Sequence, residues 1–191
     1  MNRTRGTLLR GTLAAVALLA RGALAGPAPA AYVLDPAHSS VTFTFVQAGA
    51  RNVGRFRAFS ATFDPGQGRL EVLIDLRAAD TGDGERNRML AGKSFFDVAR
   101  YPQARFESTR VVQTAGGYQA QGTLSLRGVT RPITVAFTWR THLQGGRRIG
   151  ELEGTTVVPR LEYGVGAGQW RATTWLGNRV TVRYALTFLA H

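Results

Sequence analysis

From Tyr32 onward, hydrophobic residues recur at every second position, and stretches with the 3.6-residue period of a helix are nearly absent. A strand with one buried face produces this alternation, because successive side chains point to opposite sides. In Ser40–Val46 the residues Val41, Phe43 and Phe45 share one face while Ser40, Thr42 and Thr44 share the other. By the same rule Arg69–Leu76 gathers Leu70, Val72, Ile74 and Leu76, and Tyr118–Leu126 gathers Tyr118, Ala120, Leu124 and Leu126. Ile133–Trp139 aligns Ile133, Val135, Phe137 and Trp139, and the last strand aligns Val180, Val182, Tyr184, Leu186 and Phe188. Weaker alternation predicts further strands over 54–63, 104–112 and 149–158.

Turn sequences punctuate these runs at Asp64–Gly68, Ala115–Gly117, Gly145-Gly146 and Gly177-Asn178, so most neighbouring strands are expected to be joined as hairpins. The stretch Asp80–Pro102 is too long for a hairpin. Within it Glu85–Ala91 predicts a short helix stopped by Gly92, in a segment placed to cover one end of the sheet. About eight strands with alternating faces must stack as two sheets or close on themselves, and closure removes exposed edges. The expected fold class is therefore all-β: a single antiparallel eight-stranded barrel with a short helical insertion around residues 85–100. Such a barrel has room for core side chains or for one small ligand.

Composition adds the domain plan. The chain has 191 residues, 44% of them hydrophobic and 19% charged, with 23 glycines, which suits one folded, turn-rich domain. Its start is basic through Arg10, then apolar over Leu13–Ala20, then small at Ala23-Leu24-Ala25, the layout of a secretory signal peptide. Residues 1–25 are read as that leader, with cleavage falling as late as about residue 31, and residues 32–191 as the domain. A periplasmic or secreted location follows as an expectation. Cysteine is absent, which removes thiol chemistry and thiolate metal sites. Without Arg3, Arg5, Arg10 and Arg21 the balance is 20 basic to 12 acidic residues, a formal +8. The arginines form no run of five, so nucleic acid is not expected as a partner, and the charge suits solubility or contact with an anionic membrane surface.

Candidate chemistry is sparse. Asp35, His38 and Ser39 are the residue types of a hydrolytic triad, but five consecutive residues entering a strand do not give that geometry, and a hydrogen-bonded turn explains them better. His142 and His191 are isolated, so no metal is expected. Gly164–Gly168 has the look of a phosphate-cradling loop without the following helix or Lys-Ser/Thr pair, and reads as a flexible connection between late strands. Arg127 and Arg131 flank a turn at Gly128, where solvated arginines or contact with an anionic head group are both open. Phe43, Phe45, Phe106, Phe137, Trp139 and Tyr184 lie on predicted apolar faces, and Phe95, Phe96, Trp170 and Trp175 lie in segments able to close an end. Core packing and a ligand tunnel are both open to them.

Five segments, in order, resemble the YceI-like family of periplasmic lipid-binding proteins: Tyr32–Ser39, Gly54–Phe59, Phe95–Pro102 with Ala104–Ser108, Gly122–Pro132 and Arg160–Gly164. The chain departs from the family's pattern at Arg86-Asn87, Met89 and Gln47-Ala48-Gly49, which leaves the ligand head group open. The resemblance implies a lipocalin-like barrel that encloses a long-chain isoprenoid or other apolar lipid, with no enzyme activity and no cofactor. The residues it implies as ligand-binding are Phe43, Phe45, Met89, Phe95, Phe96, Phe106, Leu124, Phe137, Trp139, Trp170, Trp175 and Tyr184. Transient contact with an anionic membrane surface and a homodimer are compatible with it. The alternatives are a lipid-acting hydrolase or isomerase using the same cavity, and a solid-core stress-response or interaction protein.

Overall fold

A computed structural model describes residues 32–190, so the expected leader and His191 lie outside the described residues. The strands are β1 Tyr32–Gln47, β2 Ala50–Phe56, β3 Phe59–Asp64, β4 Arg69–Asp75, the two-residue β5 Ala79–Asp80, β6 Gln103–Thr114, β7 Gly117–Leu126, β8 Val129–Gln144, β9 Arg147–Pro159 and β10 Arg179–Ala190. One helix, α1 (Gly84–Ala91), lies between β5 and β6. Every ladder is antiparallel, and β10 returns to β1 from Tyr32↔Ala190 to Thr44↔Thr181. β2 and β3 are two halves of one bent strand: β2 pairs with Val41–Gln47 of β1, and the far end of β3 reaches Tyr32 and Val33. With that pair counted as one position and β5 as an addition to the edge of β2, eight strands close into an up-and-down barrel.

The predicted faces are the observed ones. Val41, Phe43 and Phe45 point inward from β1, Leu70 from β4, Ala120 and Leu126 from β7, and Tyr184, Leu186 and Phe188 from β10, all of them buried. Closing a twisted sheet requires strands to bend, and two register shifts supply this, in β1 between Asp35 and Ser40 and in β6 between Ser108 and Arg110. Each shift is held by a serine. Ser39 Oγ donates to the Asp35 carbonyl at 2.7 Å and accepts from Thr187 N at 2.9 Å, while Ser108 Oγ accepts from Leu70 N at 2.7 Å. The Ser39 hydroxyl is thus engaged with backbone, and His38 Nδ1 lies 2.8 Å from Asp35 Oδ2 on the surface. The hydrogen bonds that the spacing suggested are present, but they hold a bulge within β1 rather than a turn ahead of it.

The helical insertion is the one expected, with α1 (Gly84–Ala91) matching the reading of Glu85–Ala91 to within one residue and Gly92 at its C-cap. α1 starts at the N-cap Asp83, whose carboxylate accepts from Arg86 N, and ends at Ala91. Residues 92–100 then run in turns pinned by main-chain bonds, including Phe96 N to Leu90 O and Tyr101 N to Asp97 O. The insertion is anchored to the wall through Asp80, which accepts from Arg55, Arg57, Gly82 N and Asn87. Asn87 Oδ1 in turn accepts from the Thr81 main chain and hydroxyl. These bonds hold the Asp80 carboxyl well below the usual carboxylate range.

Candidate functional site

The interior divides into two halves. Toward the turns at 65–68, 115–116 and 145–146, aromatic rings fill the barrel. Trp139 meets Tyr32, Phe63 and Phe188 with ring centroids 4.9, 4.8 and 5.9 Å apart, and Phe137 meets Phe63 and Tyr118 at 5.6 Å each. Edge-to-face and offset pairs of this kind pack tightly and leave no lumen. Phe137 and Trp139, expected to line a ligand tunnel, are instead part of the plug that closes this end. The physical reason is the partners that the closure of the barrel brings to them from β1, β3 and β10.

The other half is hollow. A cavity of about 350 Å³ is lined by Phe43, Phe45, Phe106, Leu124 and Tyr184 from the wall, together with Leu70, Val72, Ile74 and Val182. Met89, Phe95, Phe96 and Trp170 line it from the segments that cover this end. Nine of the twelve expected residues therefore meet around one apolar space, of a size within the range of small-molecule sites. Trp175 does not join them; it is 54% exposed on the outer surface. Liners that alternation alone did not single out include Phe56, Leu90, Val165 and Leu176. Only Phe56 carried a signal, as an apolar residue in a weakly alternating stretch.

Two glycines shape the wall. Phe43 lies directly across from Gly54, and Tyr184 directly across from Gly154. A Cβ at either position would enter the facing ring, so the rings lie flat over bare backbone and leave the lumen free. The Tyr184 hydroxyl donates to the Ala136 carbonyl, which removes its polar tip from the cavity, and burial pushes the phenol pKa upward. What faces the lumen is almost wholly hydrocarbon. Polar groups gather at one side, where Gln47, Asp83, Glu85 and Arg86 join the lining; Asp83, Glu85 and Met89 are exposed, so the cavity opens there. The Arg86 guanidinium sits 5.9 Å from the Phe45 ring centroid.

The cover over this end is organised by Arg160, which is 3% exposed. Its Nε donates to Gly177 O at 2.9 Å, Nη1 to Val165 O and Gly166 O at 2.9 and 3.3 Å, and Nη2 to Trp170 O and Leu176 O at 2.7 Å each. All five guanidinium N–H groups are thereby used on carbonyls of the β9–β10 connection. The connection is wound around this side chain, which corrects the expectation of a flexible loop. Gly164–Gly168 turns carbonyls toward a cation, whereas its Gly166 and Ala167 N–H groups both donate to Ser94 O at 2.8 and 2.9 Å. A Cβ on Gly166, at φ +80°, would collide with the guanidinium. Arg127 and Arg131 are neither free nor simply solvated: Arg127 Nη2 donates to Lys93 O at 2.7 Å and Arg131 Nε to Glu162 O at 2.9 Å, tying the β7–β8 turn to both covering segments.

Among the described residues no three or more His, Cys, Asp or Glu side chains converge as metal ligands would, and no helix is long and apolar enough to cross a membrane.

Comparison with known proteins agrees with this geometry. A family profile described as the YceI-like domain matches residues 32–188. A UPF0312 protein of Yersinia pestis (strain Pestoides F) is 39% identical over 137 residues, covering 67% of this chain and 71% of that protein. A UPF0312 protein of Yersinia enterocolitica is 36% identical over 137 residues, covering 68% and 69%. Among solved structures, Burkholderia cenocepacia BcnA superposes with a TM-score of 0.72 at 32% identity, over 81% of this chain and 98% of BcnA. A polyisoprenoid binding domain from Saccharophagus degradans, implicated in plant cell wall breakdown, shares the fold with a TM-score of 0.64 at 22% identity, over 85% and 99%.

Proposed function

Because the chain belongs to the YceI-like domain family, we propose that it is a non-catalytic binding protein that holds a long-chain polyisoprenoid or related apolar lipid and sequesters or carries it. The observation that carries this reading is the half-hollow barrel: a hydrocarbon-lined cavity, plugged by aromatic rings at one end and opening beside α1 at the other. Backbone polar groups are consumed by the ladders, so the lumen offers contact without hydrogen bonds, as a chain of isoprene units requires. The polyisoprenoid binding ascribed to the Saccharophagus degradans domain of the same fold supports the choice of ligand class.

Burying each CH₂ is worth roughly 0.8 kcal/mol relative to water, but a bilayer buries the chain equally well. Exchange between protein and membrane is then nearly balanced, which suits a carrier, and shape sets selectivity. A periplasmic or secreted location is part of the proposal and rests on the leader-like residues 1–25. Native mass spectrometry of protein purified without detergent, followed by organic extraction, tests the reading. A stoichiometric prenyl lipid is expected. A folded protein that stays empty after incubation with prenyl lipids refutes it.

A further inference from the structure

The charge of this barrel is concentrated at one end. The segments that build the open end (50–57, 75–100, 127–131 and 160–179) carry thirteen basic and six acidic residues, while the rest of the described chain carries seven and six. The acidic minority is partly spent internally, since Asp80 pairs with Arg55 and Arg57, and Asp75 with Arg77. Beside the cavity mouth lies an exposed apolar strip. Val53 is 57% exposed, Trp175 54% and Val46 41%.

The ladder registers place these residues together. Val46 pairs with Arg51 and Thr44 with Val53, so the three outward side chains Val46, Arg51 and Val53 adjoin at the tip of the β1–β2 hairpin. The segment around Trp175 is laid against that tip by main-chain bonds, Ala48 N to Trp175 O and Gly177 N to Val46 O, both 2.8 Å. Arg179 begins β10 two residues further on and Arg171 stands four residues before Trp175; both are exposed. Among the described residues Arg51, Arg171 and Arg179 have no carboxylate within salt-bridge distance.

We propose that this rim, Val46, Val53 and Trp175 with Arg51, Arg171 and Arg179, docks the barrel mouth-first on an anionic lipid bilayer. A tryptophan with an apolar body and a polar N–H suits the level of the head groups, and unpaired arginines around it meet the negative surface charge. The charge asymmetry selects a bilayer of anionic lipid over a second copy of this chain, because two copies meeting at this end would face like charge with like. The orientation also joins function to structure: it brings the opening beside α1 to the membrane, so that a chain passes between bilayer and cavity without crossing water. The mouth-first part of the proposal rests on the binding reading; the docking does not.

The test is quenching of tryptophan fluorescence by vesicles of phosphatidylglycerol and phosphatidylcholine whose acyl chains carry bromine, with the full chain and no added prenyl lipid. Trp139 and Trp170, both partly buried, serve as internal references. The expected result is quenching that Trp175→Phe removes, that phosphatidylcholine alone does not produce, and that salt weakens. Each of Arg51→Glu, Arg171→Glu and Arg179→Glu is expected to weaken binding by at least about fivefold, the value of one basic residue near such a surface.

Vesicle binding that leaves Trp175 unquenched overturns the proposal, because contact then runs through another face or through residues 1–31. Equal quenching on phosphatidylcholine overturns it as well. So does a dimer in solution that Trp175→Ser dissociates while vesicle binding is unchanged, since the strip then seats a second copy. A protein that docks as described but releases no lipid on extraction keeps this proposal and sinks the binding function, and the reverse outcome does the opposite.

Discussion

Replacing Arg160 by methionine separates the two halves of this molecule, the barrel and its cover. The side chain is 3% exposed, carries a charge with no carboxylate partner among the described residues, and spends five N–H groups on five carbonyls between Val165 and Gly177. A hydrogen bond to a charged group contributes about 1.5–3 kcal/mol, but burying the guanidinium costs several kcal/mol. The sum of the bonds is therefore not the loss. Methionine removes the charge and its desolvation, and leaves the carbonyls without donors where the connection cannot relax to water. The expected destabilisation is about 3–5 kcal/mol, the cost of several unsatisfied buried carbonyls at about 1–3 kcal/mol each less the relieved desolvation of the guanidinium. With a urea dependence of about 1–3 kcal/mol per molar, the midpoint falls by about 2 M.

Arg160→Lys keeps the charge but has three N–H groups for five acceptors, and its midpoint is expected to fall between the two. Val165, Trp170 and Leu176 of this connection also line the cavity, so Arg160→Met is expected to weaken lipid retention before the barrel unfolds. Urea denaturation followed by far-ultraviolet circular dichroism reads the first effect, and native mass spectrometry at sub-denaturing urea the second. A methionine variant whose midpoint stays within about 0.5 M of the parent would show that the carbonyls do not depend on Arg160.

Three further outcomes are expected. Gly54→Val pushes a side chain into the Phe43 ring, which must swing into the lumen; a loss of about 1–3 kcal/mol accompanied by lost lipid binding is expected, and unaltered binding in a folded variant contradicts the account of the wall. Phe137→Ala removes part of the plug at a cost of about 3–5 kcal/mol; in competition native mass spectrometry, prenyl chains of graded length should shift toward longer occupants, and an unchanged preference counts against the plug as the floor. The Asp80 carboxyl is held below its ordinary value of 3.8 by Gly82 N, Asn87, Arg57 and Arg55. Since the folded protein favours the ionised form, that contribution is present above 3.8 and is lost as pH falls toward the lowered folded value. Asp80→Asn should therefore lose less stability than the parent between about pH 5 and pH 2 in urea titrations, and parallel curves would exclude Asp80 as the anchor.

Much of this protein was legible in its order of residues. Alternation with period two named the inward side chains of the main strands, three of the four turn sequences placed hairpins while Gly177-Asn178 fell in the long β9–β10 connection, and Glu85 to Gly92 marked a short helix in the connection long enough to cover an end. These are local rules, set by the pleat of a strand and the caps of a helix, and closure of the barrel left them unchanged. Tertiary structure decided what depends on distant partners. Ile133, Val135, Phe137 and Trp139 share one face of one strand, yet the first two border a cavity and the last two are packed solid, because closure brings Tyr32, Phe63 and Phe188 against only one end of that face. Trp175 reads like Trp170 in sequence and stands outside because its backbone pairs with the β1–β2 tip. Arg160 and the glycines after it were visible as a motif, but a sequence does not say whether a loop turns its N–H groups or its carbonyls inward. That choice was made by a cation with five donors and no other partner.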